Sequence, residues 1–363
     1  SDFDVVTIKD VPGYATLVQK NTLESLDDYI TDAGINLADF NGITDQVTVD
    51  GSLYELPFRS DYWLIYYNKD VFDAAGIAYP SNDMTMEDYD ALARQLTDTT
   101  YGSQVYGCHY HTWRSAVELF GILDGKHSIL DGNYDWMIPY YDMILSEEDD
   151  GVCQTYTDLS TEGLHYSAAF SNGNVAMMNM GSWFISTLIS NLDSGEYDSS
   201  LCGNWGIASY PHPDGAEAGS TIATITGLAV TSASANKDAA FDFVNWVSGT
   251  EGAKVMASTG NFPAIMTDDV INTIAGMAGF PTDEGSKEAL NITNAYLEVP
   301  YAENVSEINS ILDTYHTSIM NREVTVEEGV ASMNEQVGKI PVKHILRHFT
   351  FDEIKLGIMM IAS

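Results

Sequence analysis

The sequence predicts an α/β protein of two lobes, with mixed, mostly parallel sheets flanked by helices. The first observation is the length of 363 residues, which exceeds what one ordinary compact core organises. The second is an alternation along the chain of strand-like apolar runs with segments of helical periodicity, which is typical of α/β folds. The third is a hydrophobic content of 45%, which is ample for burying two cores.

Strands are predicted where β-branched, aromatic and other apolar residues form short runs between polar or glycine-containing segments. These runs are, in chain order, 3–8, 64–67, 175–180 and 222–230. The run at 64–67 follows the polar residues Arg59, Ser60 and Asp61 and ends at Asn68. Ligand-facing side chains of open α/β sheets come from segments of this kind, so we expect a contribution to a binding site here.

Helices are predicted where apolar residues recur at helical spacing. In chain order they are 14–18, 86–96, 113–123, 135–145, a helix from about 183, and 241–247. The helix at 86–96 has a clear start signal, the capping box formed by Thr85 and Asp88. Gly181 precedes the helix predicted near Trp183. Glycine suits this position because it allows the backbone to turn from a strand into a helix.

The charge balance excludes several classes of partner. The chain has 15 Lys and Arg against 53 Asp and Glu, a formal net charge of −38, which argues against nucleic acid and anionic membranes. No run of about 18 apolar residues is present, so no bilayer-spanning segment is predicted. Cys108, Cys153 and Cys202 lack the CxxC spacing of zinc or redox motifs, so we expect small buried thiols and at most one disulfide.

Four runs of the chain occur in the order in which one family has them. They are Leu-Pro-Phe with Tyr-Asn-Lys-Asp and Ala-Gly-Ile at 56–77, Ala-Phe-x-x-Gly-x-x-Ala-Met with Gly-x-Trp at 169–183, the segment 205–247, and a Gly-x-x-Pro-Ala turn at 260–264. The chain thereby resembles the extracellular solute-binding proteins of ABC sugar importers, the maltose-binding type. The resemblance covers roughly residues 4–340.

This resemblance implies a periplasmic-binding-protein fold of type II, with a ligand cleft between its lobes. The first lobe is expected at 1–104 and 228–264, and the second at 105–227 and 265–340. Relative to the family, an N-terminal strand-helix-strand is expected to be missing, and the tail 341–363 is atypical of the fold.

The function implied by the resemblance is a receptor that captures a sugar or oligosaccharide by lobe closure and passes it to an ABC permease. No catalysis and no cofactor are expected. The expected location is the extracellular face of a bacterial membrane or the periplasm. The receptor is expected to be a monomer, and its membrane attachment a lipid anchor absent from this chain.

Sugars are bound by aromatic faces and by planar polar side chains. Trp183, from the Gly-x-Trp motif, is predicted to stack on the sugar, and Asp10 and Asp61 stand where the resembling type has sugar-binding acids. Alternatively, Asp10 caps a helix. Arg59 is predicted to bond the ligand or to pair with Asp61.

Further contacts are predicted from Trp113, from Asn261 in the family's interlobe turn, and from a second-lobe ring, Tyr301. Trp136, Trp205 and Trp246 are expected to pack within the lobes. The pair His109 and His111 invites a metal interpretation, but no third ligand stands nearby, so no metal site is predicted.

Other functions remain open at this stage. A receptor for a polyamine, a peptide or ferric ion can use the same fold, and a polyamine site is a natural use for so many carboxylates. Paired carboxylates would suit a glycosidase, although the chain has no GxSxG, HExxH or P-loop pattern. A structural or adhesive surface protein is the third class.

Overall fold

The computed structural model describes residues 3–340, so the predicted atypical tail 341–363 lies outside the described residues. Within that range the fold is mixed α/β, as predicted, with an open sheet flanked by helices. None of the helices in the described range is long and apolar enough to cross a membrane.

The elements follow one another in this order. The strands are β1 (Val5–Ile8), β2 (Leu56–Asn68), β3 (Tyr106–His109), β4 (Val175–Gly181), β5 (Trp205–Ser209), β6 (Thr221–Val230) and β7 (Ala295–Leu297). The first eight α-helices are α1 (Val11–Gln19), α2 (Asp27–Ala33), α3 (Lys69–Ala75), α4 (Met86–Leu96), α5 (Ser115–Ile122), α6 (Ile138–Asp149), α7 (Tyr156–Glu162) and α8 (Tyr166–Ser171). The others are α9 (Trp183–Ser194), α10 (Ser199–Cys202), α11 (Lys237–Ser248), α12 (Thr250–Ala257), α13 (Asp268–Ala275), α14 (Glu284–Glu288), α15 (Val305–Met320) and α16 (Val326–Gly338). Short 3₁₀ helices occur at Leu37–Phe40, Thr44–Val47 and Asp135–Met137.

Two long strands, β2 and β6, form the centre of a seven-stranded sheet with the order β1-β6-β2-β4-β3. Between Leu56 and Tyr62, β2 pairs with β6; from Trp63 onward it pairs with β4 and β5. The outer edge of β6 holds β1, and its first residues hold β7. Since β2 changes partners along its length, one strand serves both halves of the sheet.

The sheet differs from the prediction in its strand directions. Among the described strands, four pairings are antiparallel and two, β3 with β4 and β6 with β7, are parallel. Alternating strands and helices give parallel pairs where a helical crossover joins neighbours, as it does between β3 and β4. The central strands β2 and β6 run in opposite directions, which makes their own pairing antiparallel.

The lobe boundaries at 104 and 228 remain predictions. The change of partners along β2 at Trp63 favours a first boundary earlier in the chain than 104. Helix α4 packs on the half that contains β3 and β4: Tyr89 donates a 2.6 Å hydrogen bond to Asn179 of β4. A Cβ on Gly107 of β3 would lie 1.7 Å from the carbonyl oxygen of Ala93 in α4. We therefore propose that residues 63–104 belong with the second lobe.

The helix predicted at 86–96 is confirmed as α4, including its start. The Asp88 backbone N–H donates to Thr85 Oγ1 at 3.1 Å, and the Thr85 N–H donates back to the Asp88 carboxylate at 3.1 Å. The helix predicted from about 183 is confirmed as α9. Gly181 is required just before it, because a Cβ there would lie 2.1 Å from the ring of Trp183.

Candidate functional site

A cavity of about 390 Å³ opens where β1, β6 and β7 meet the starts of α1 and α5 and one face of α15. Ala223, Thr224 and Ile225 in β6 line one part of it. Its charged and aromatic lining residues are Lys9, Asp10, Trp113, Arg114, Glu118, Glu298, Asp313 and His316. Of the residues predicted for the site, Asp10 and Trp113 therefore line this cavity directly.

Asp10 caps α1 and also lines the cavity. The Gly13 N–H donates a 2.8 Å hydrogen bond to the Asp10 carboxylate, so the alternative interpretation as a helix N-cap is confirmed. Asp10 is exposed, whereas Glu55, whose pKa its negative charge affects, is buried. Burial first, and then the negative charge of Asp10, raise the pKa of Glu55 to about 8.

Arg59 and Asp61 form an ion pair of 2.6 Å on β2, which confirms the pairing predicted as one alternative. Ser182 donates a second hydrogen bond of 2.9 Å to the Asp61 carboxylate. Burial raises the pKa of Asp61, although Arg59 and Ser182 both act to lower it. Asp61 stands directly opposite Thr224, which lines the cavity. Such cross-strand partners project from one face, so the Asp61 and Thr224 side chains lie on the same side of the sheet.

Three tryptophans form an aromatic cluster at the same place. The ring centroid of Trp63 lies 5.5 Å from that of Trp183 and 6.4 Å from that of Trp113, and Trp113 lies 6.2 Å from Trp183. Trp113 is 40% exposed and lines the cavity, so the cluster extends the cavity wall. The buried Trp63 Nε1 has no hydrogen-bond partner within residues 3–340.

Arg114, which the sequence analysis missed, directly follows Trp113 and also lines the cavity. Its guanidinium is buried and contacts the Glu118 carboxylate at 2.5 Å, Asn309 Oδ1 at 2.5 Å, and Asp313. Burial raises the pKa of Glu118, and the charge of Arg114 acts against that rise. The network joins the start of α5 to α15 across the cavity floor.

Glu298 and Trp63 are further site residues that the sequence analysis missed. Ser115 donates a hydrogen bond to the Glu298 carboxylate, and burial, followed by the charge of Glu118, raises its pKa to about 7. The spacing of two residues between Asp61 and Trp63 on a strand was a usable signal, because such residues share a face. Glu298 offered no comparable local signal.

Five of the predicted residues, Arg59, Asp61, Trp183, Asn261 and Tyr301, are not among those that line the cavity. The Tyr301 ring packs 5.9 Å from Tyr14 of α1, and Asn261 donates a 2.9 Å hydrogen bond to its neighbour Thr259. The turn after Asn261 is nevertheless tied to β2, because the Ser60 N–H donates to the Phe262 carbonyl at 3.2 Å. Their roles in ligand binding stay predictions.

The other tryptophans are placed differently from one another. Trp205 is buried and Trp136 is half-buried, as expected, but Trp246 on α11 is 54% exposed, so its predicted packing is wrong. The helical period places it on the outer face of α11, where it stays in solvent.

Burial lowers the pKa of His109 to about 3 and that of His111 to about 4, so both imidazoles are neutral at pH 7. In the part of the chain that the structure describes, the group with metal-ligand spacing is Cys108, Glu147 and Cys153, which contains neither histidine.

Comparison with known proteins places the chain in a family. Residues 1–254 match the model of the bacterial extracellular solute-binding proteins. A sugar transporter from Rhizobium etli, solved in an open conformation, is 47% identical, with a TM-score of 0.88 over 93% of this chain and 86% of that one. No curated protein sequence matches the chain.

Less similar structures share the fold. An ABC substrate-binding protein of Listeria monocytogenes in complex with cycloalternan is 22% identical, with a TM-score of 0.74 over 92% of this chain and 83% of that one. Maltose-bound MalE3 of T. maritima is 18% identical, with a TM-score of 0.71 over 93% and 84%. The family match and the R. etli relative together show that this chain belongs to the bacterial extracellular solute-binding proteins.

Proposed function

We propose that the chain is the carbohydrate receptor of an ABC importer, which captures a sugar or an oligosaccharide and delivers it to a membrane permease. The observation that carries the proposal is the cluster of Trp63, Trp113 and Trp183 beside the Arg59–Asp61 pair. Indole rings supply flat apolar faces for a pyranose, and the neighbouring carboxylate accepts hydrogen bonds from its hydroxyls. The 47% identical R. etli sugar transporter supports the same ligand class.

Ligand capture is proposed to occur by hinge closure about β2. This strand pairs with β6 in one half of the sheet and with β4 and β5 in the other, so rotation between the halves has to be absorbed along it. A ligand held from both sides stabilises the closed form through its additional contacts, and a permease can distinguish that form. The receptor is proposed to act as a monomer, attached to the membrane by a lipid anchor, with Asn261 and Tyr301 as additional contacts.

A ligand screen tests this proposal. Thermal unfolding is measured with mono- and oligosaccharides, and each hit is titrated by calorimetry. A true ligand at 100 times its Kd should stabilise the folded receptor by about 2.7 kcal/mol and raise Tm accordingly. Ligand recovered unchanged after incubation is expected, because the family consists of binding receptors and we propose no catalysis. Hydrolysis of a labelled oligosaccharide would instead favour a glycoside-acting enzyme.

A polyamine receptor is the alternative with a specific observation in its favour. Four carboxylates and two cationic side chains line the cavity, so its lining carries an excess of acidic groups. Spermidine and putrescine therefore belong in the same screen. Polyamine affinity should fall as salt is added, whereas the affinity of a neutral sugar should change little.

A further inference from the structure

Two cysteines far apart in the sequence meet in the interior, away from the cavity. Cys108 lies on β3, and Cys153 lies in the segment after α6; both are buried. Their Sγ atoms and a carboxylate oxygen of Glu147 all lie within 4.8 Å of one another. The Cys108 N–H donates a 3.3 Å hydrogen bond to the Val152 carbonyl, so the backbones are already joined one residue before Cys153.

We propose that Cys108 and Cys153 form a disulfide in the exported protein. The family is extracellular, and thiols that meet in an oxidising compartment become paired. This proposal does not depend on the identity of the ligand, because neither cysteine lines the cavity.

A bound metal ion is the competing explanation, since Glu147 completes a set of three donors. Both carboxylate oxygens of Glu147 lack hydrogen-bond partners within the described residues. However, metal binding would need both sulfurs and the carboxylate in their deprotonated forms. A disulfide places no charge in the interior.

The chemistry requires an oxidant of the disulfide class, such as a thiol oxidoreductase or oxidised glutathione. One cysteine, as thiolate, attacks the oxidant's disulfide and expels one thiol; the second thiolate then attacks the mixed disulfide and expels the other. The two cysteines lose two protons and two electrons, and the oxidant gains two thiols. Because both sulfurs are buried in the folded chain, these attacks take place before folding is complete.

The cross-link would join β3 to the segment that follows α6. β3 leads within a few residues to Trp113, so the link fixes the base of the segment that carries this ring to the cavity. Closing a loop from 108 to 153 restricts the unfolded chain.

The test counts thiols in the intact exported protein. Cells are quenched in acid, the protein is alkylated in denaturant without reductant, and its mass is measured. We expect one label, on Cys202, a loss of two hydrogens, and a cross-linked peptide containing Cys108 and Cys153. Three labels, or a bridge that includes Cys202, would overturn the proposal. Three labels together with one zinc or other soft metal per chain before denaturation would identify the metal site instead.

Variants provide matched controls, and their readout in denaturant does not depend on folding. Cys202→Ser should give no label and keep the bridge, whereas Cys108→Ser should give two labels. For folded protein, Cys108→Ser should lower Tm by roughly 5–10 °C relative to Cys202→Ser. The native protein should also resist dithiothreitol until it is unfolded; rapid reduction with the fold intact would count against a buried bridge.

Discussion

Arg59, Asp61 and Trp63 alternate along β2, so their side chains project from the same face of the strand. The Asp61 carboxylate is held by Arg59 and by Ser182, which directly precedes Trp183. A carboxylate fixed from two sides loses little further freedom when it accepts a ligand hydroxyl. In the proposed sugar site, the Asp61 carboxylate is thus linked through Ser182 to the segment that carries the Trp183 ring.

Replacing Trp183 by alanine should weaken sugar binding. The change removes one stacking face of the cluster, so affinity should fall by about 1–3 kcal/mol, measured by calorimetric titration with the best ligand of the screen. Trp246→Ala is the matched control, because it removes the same side chain from the exposed side of α11. Equal affinities of Trp183→Ala and the wild type would show that the stacking ring has been placed wrongly.

Helices α5 and α15 are joined through one buried cation. Arg114 contacts Glu118 one turn further along α5 and reaches Asn309 and Asp313 on α15. Glu118 is fully buried, so its carboxylate depends on this guanidinium for compensation. Arg114 therefore joins α5 to α15, two helices that line the cavity.

Arg114→Met should destabilise the protein strongly, because it leaves Glu118 buried without its cation. The expected cost is about 3–5 kcal/mol in the free energy of unfolding, measured by chemical denaturation. The double variant Arg114→Met with Glu118→Met should recover much of this loss, since no buried charge remains. Arg94→Met, which breaks partly exposed pairs, should cost less than about 1 kcal/mol. A loss of that small size at Arg114 would contradict the role given to it.

Elements with local signals could be predicted, whereas β2 could be predicted only in part. The capping box of Thr85 and Asp88 acts within four residues, so α4 followed from the sequence. The strand predicted at 64–67 extends from Leu56 to Asn68. Its first half contains Pro57 and two charged residues, which local pattern treats as interruptions. They are accommodated by a register shift between Pro57 and Arg59 and by the ion pair that Arg59 forms with buried Asp61.

The clustering of the three tryptophans could not be predicted from the sequence, because no local pattern brings them together. Trp63, Trp113 and Trp183 come from β2, the start of α5 and the start of α9, and the pairing of β2 with β4 brings two of them together. Such pairing depends on the whole sheet, while the family's Gly-x-Trp motif indicated one ring alone. Trp63 and Arg114 were accordingly missed.

At the scale of the whole molecule, buried carboxyls give the fold an uncommon response to pH. Burial raises the pKa of Glu55 and of Glu147 to about 8, and that of Glu298 to about 7, from a usual value of 4.5. Between pH 4.5 and these values the folded chain binds more protons than the unfolded chain. The free energy of unfolding therefore rises as the pH falls through this window.

Buried histidines act in the opposite direction, but only at lower pH. Burial lowers the pKa of His109 and His316 to about 3, from a usual value of 6.5, and that of His111 to about 4. Below pH 6.5 the unfolded chain takes up these protons first, so the histidines reduce stability as the pH falls further. The two sets of groups oppose each other between about pH 6.5 and 4.5.

We therefore expect stability to increase when the pH is lowered from 8 to about 6.5, and the increase to stop there as the histidines begin to act. Each carboxyl contributes a slope of up to about 1.4 kcal/mol per pH unit, measurable by urea denaturation at closely spaced pH values without ligand. Glu55→Gln removes one ionisable group from a buried position and should make the slope between pH 7 and 8 shallower. A stability that stays constant or declines from pH 8 to 6.5 would mean that these carboxyls are ionised in the folded chain.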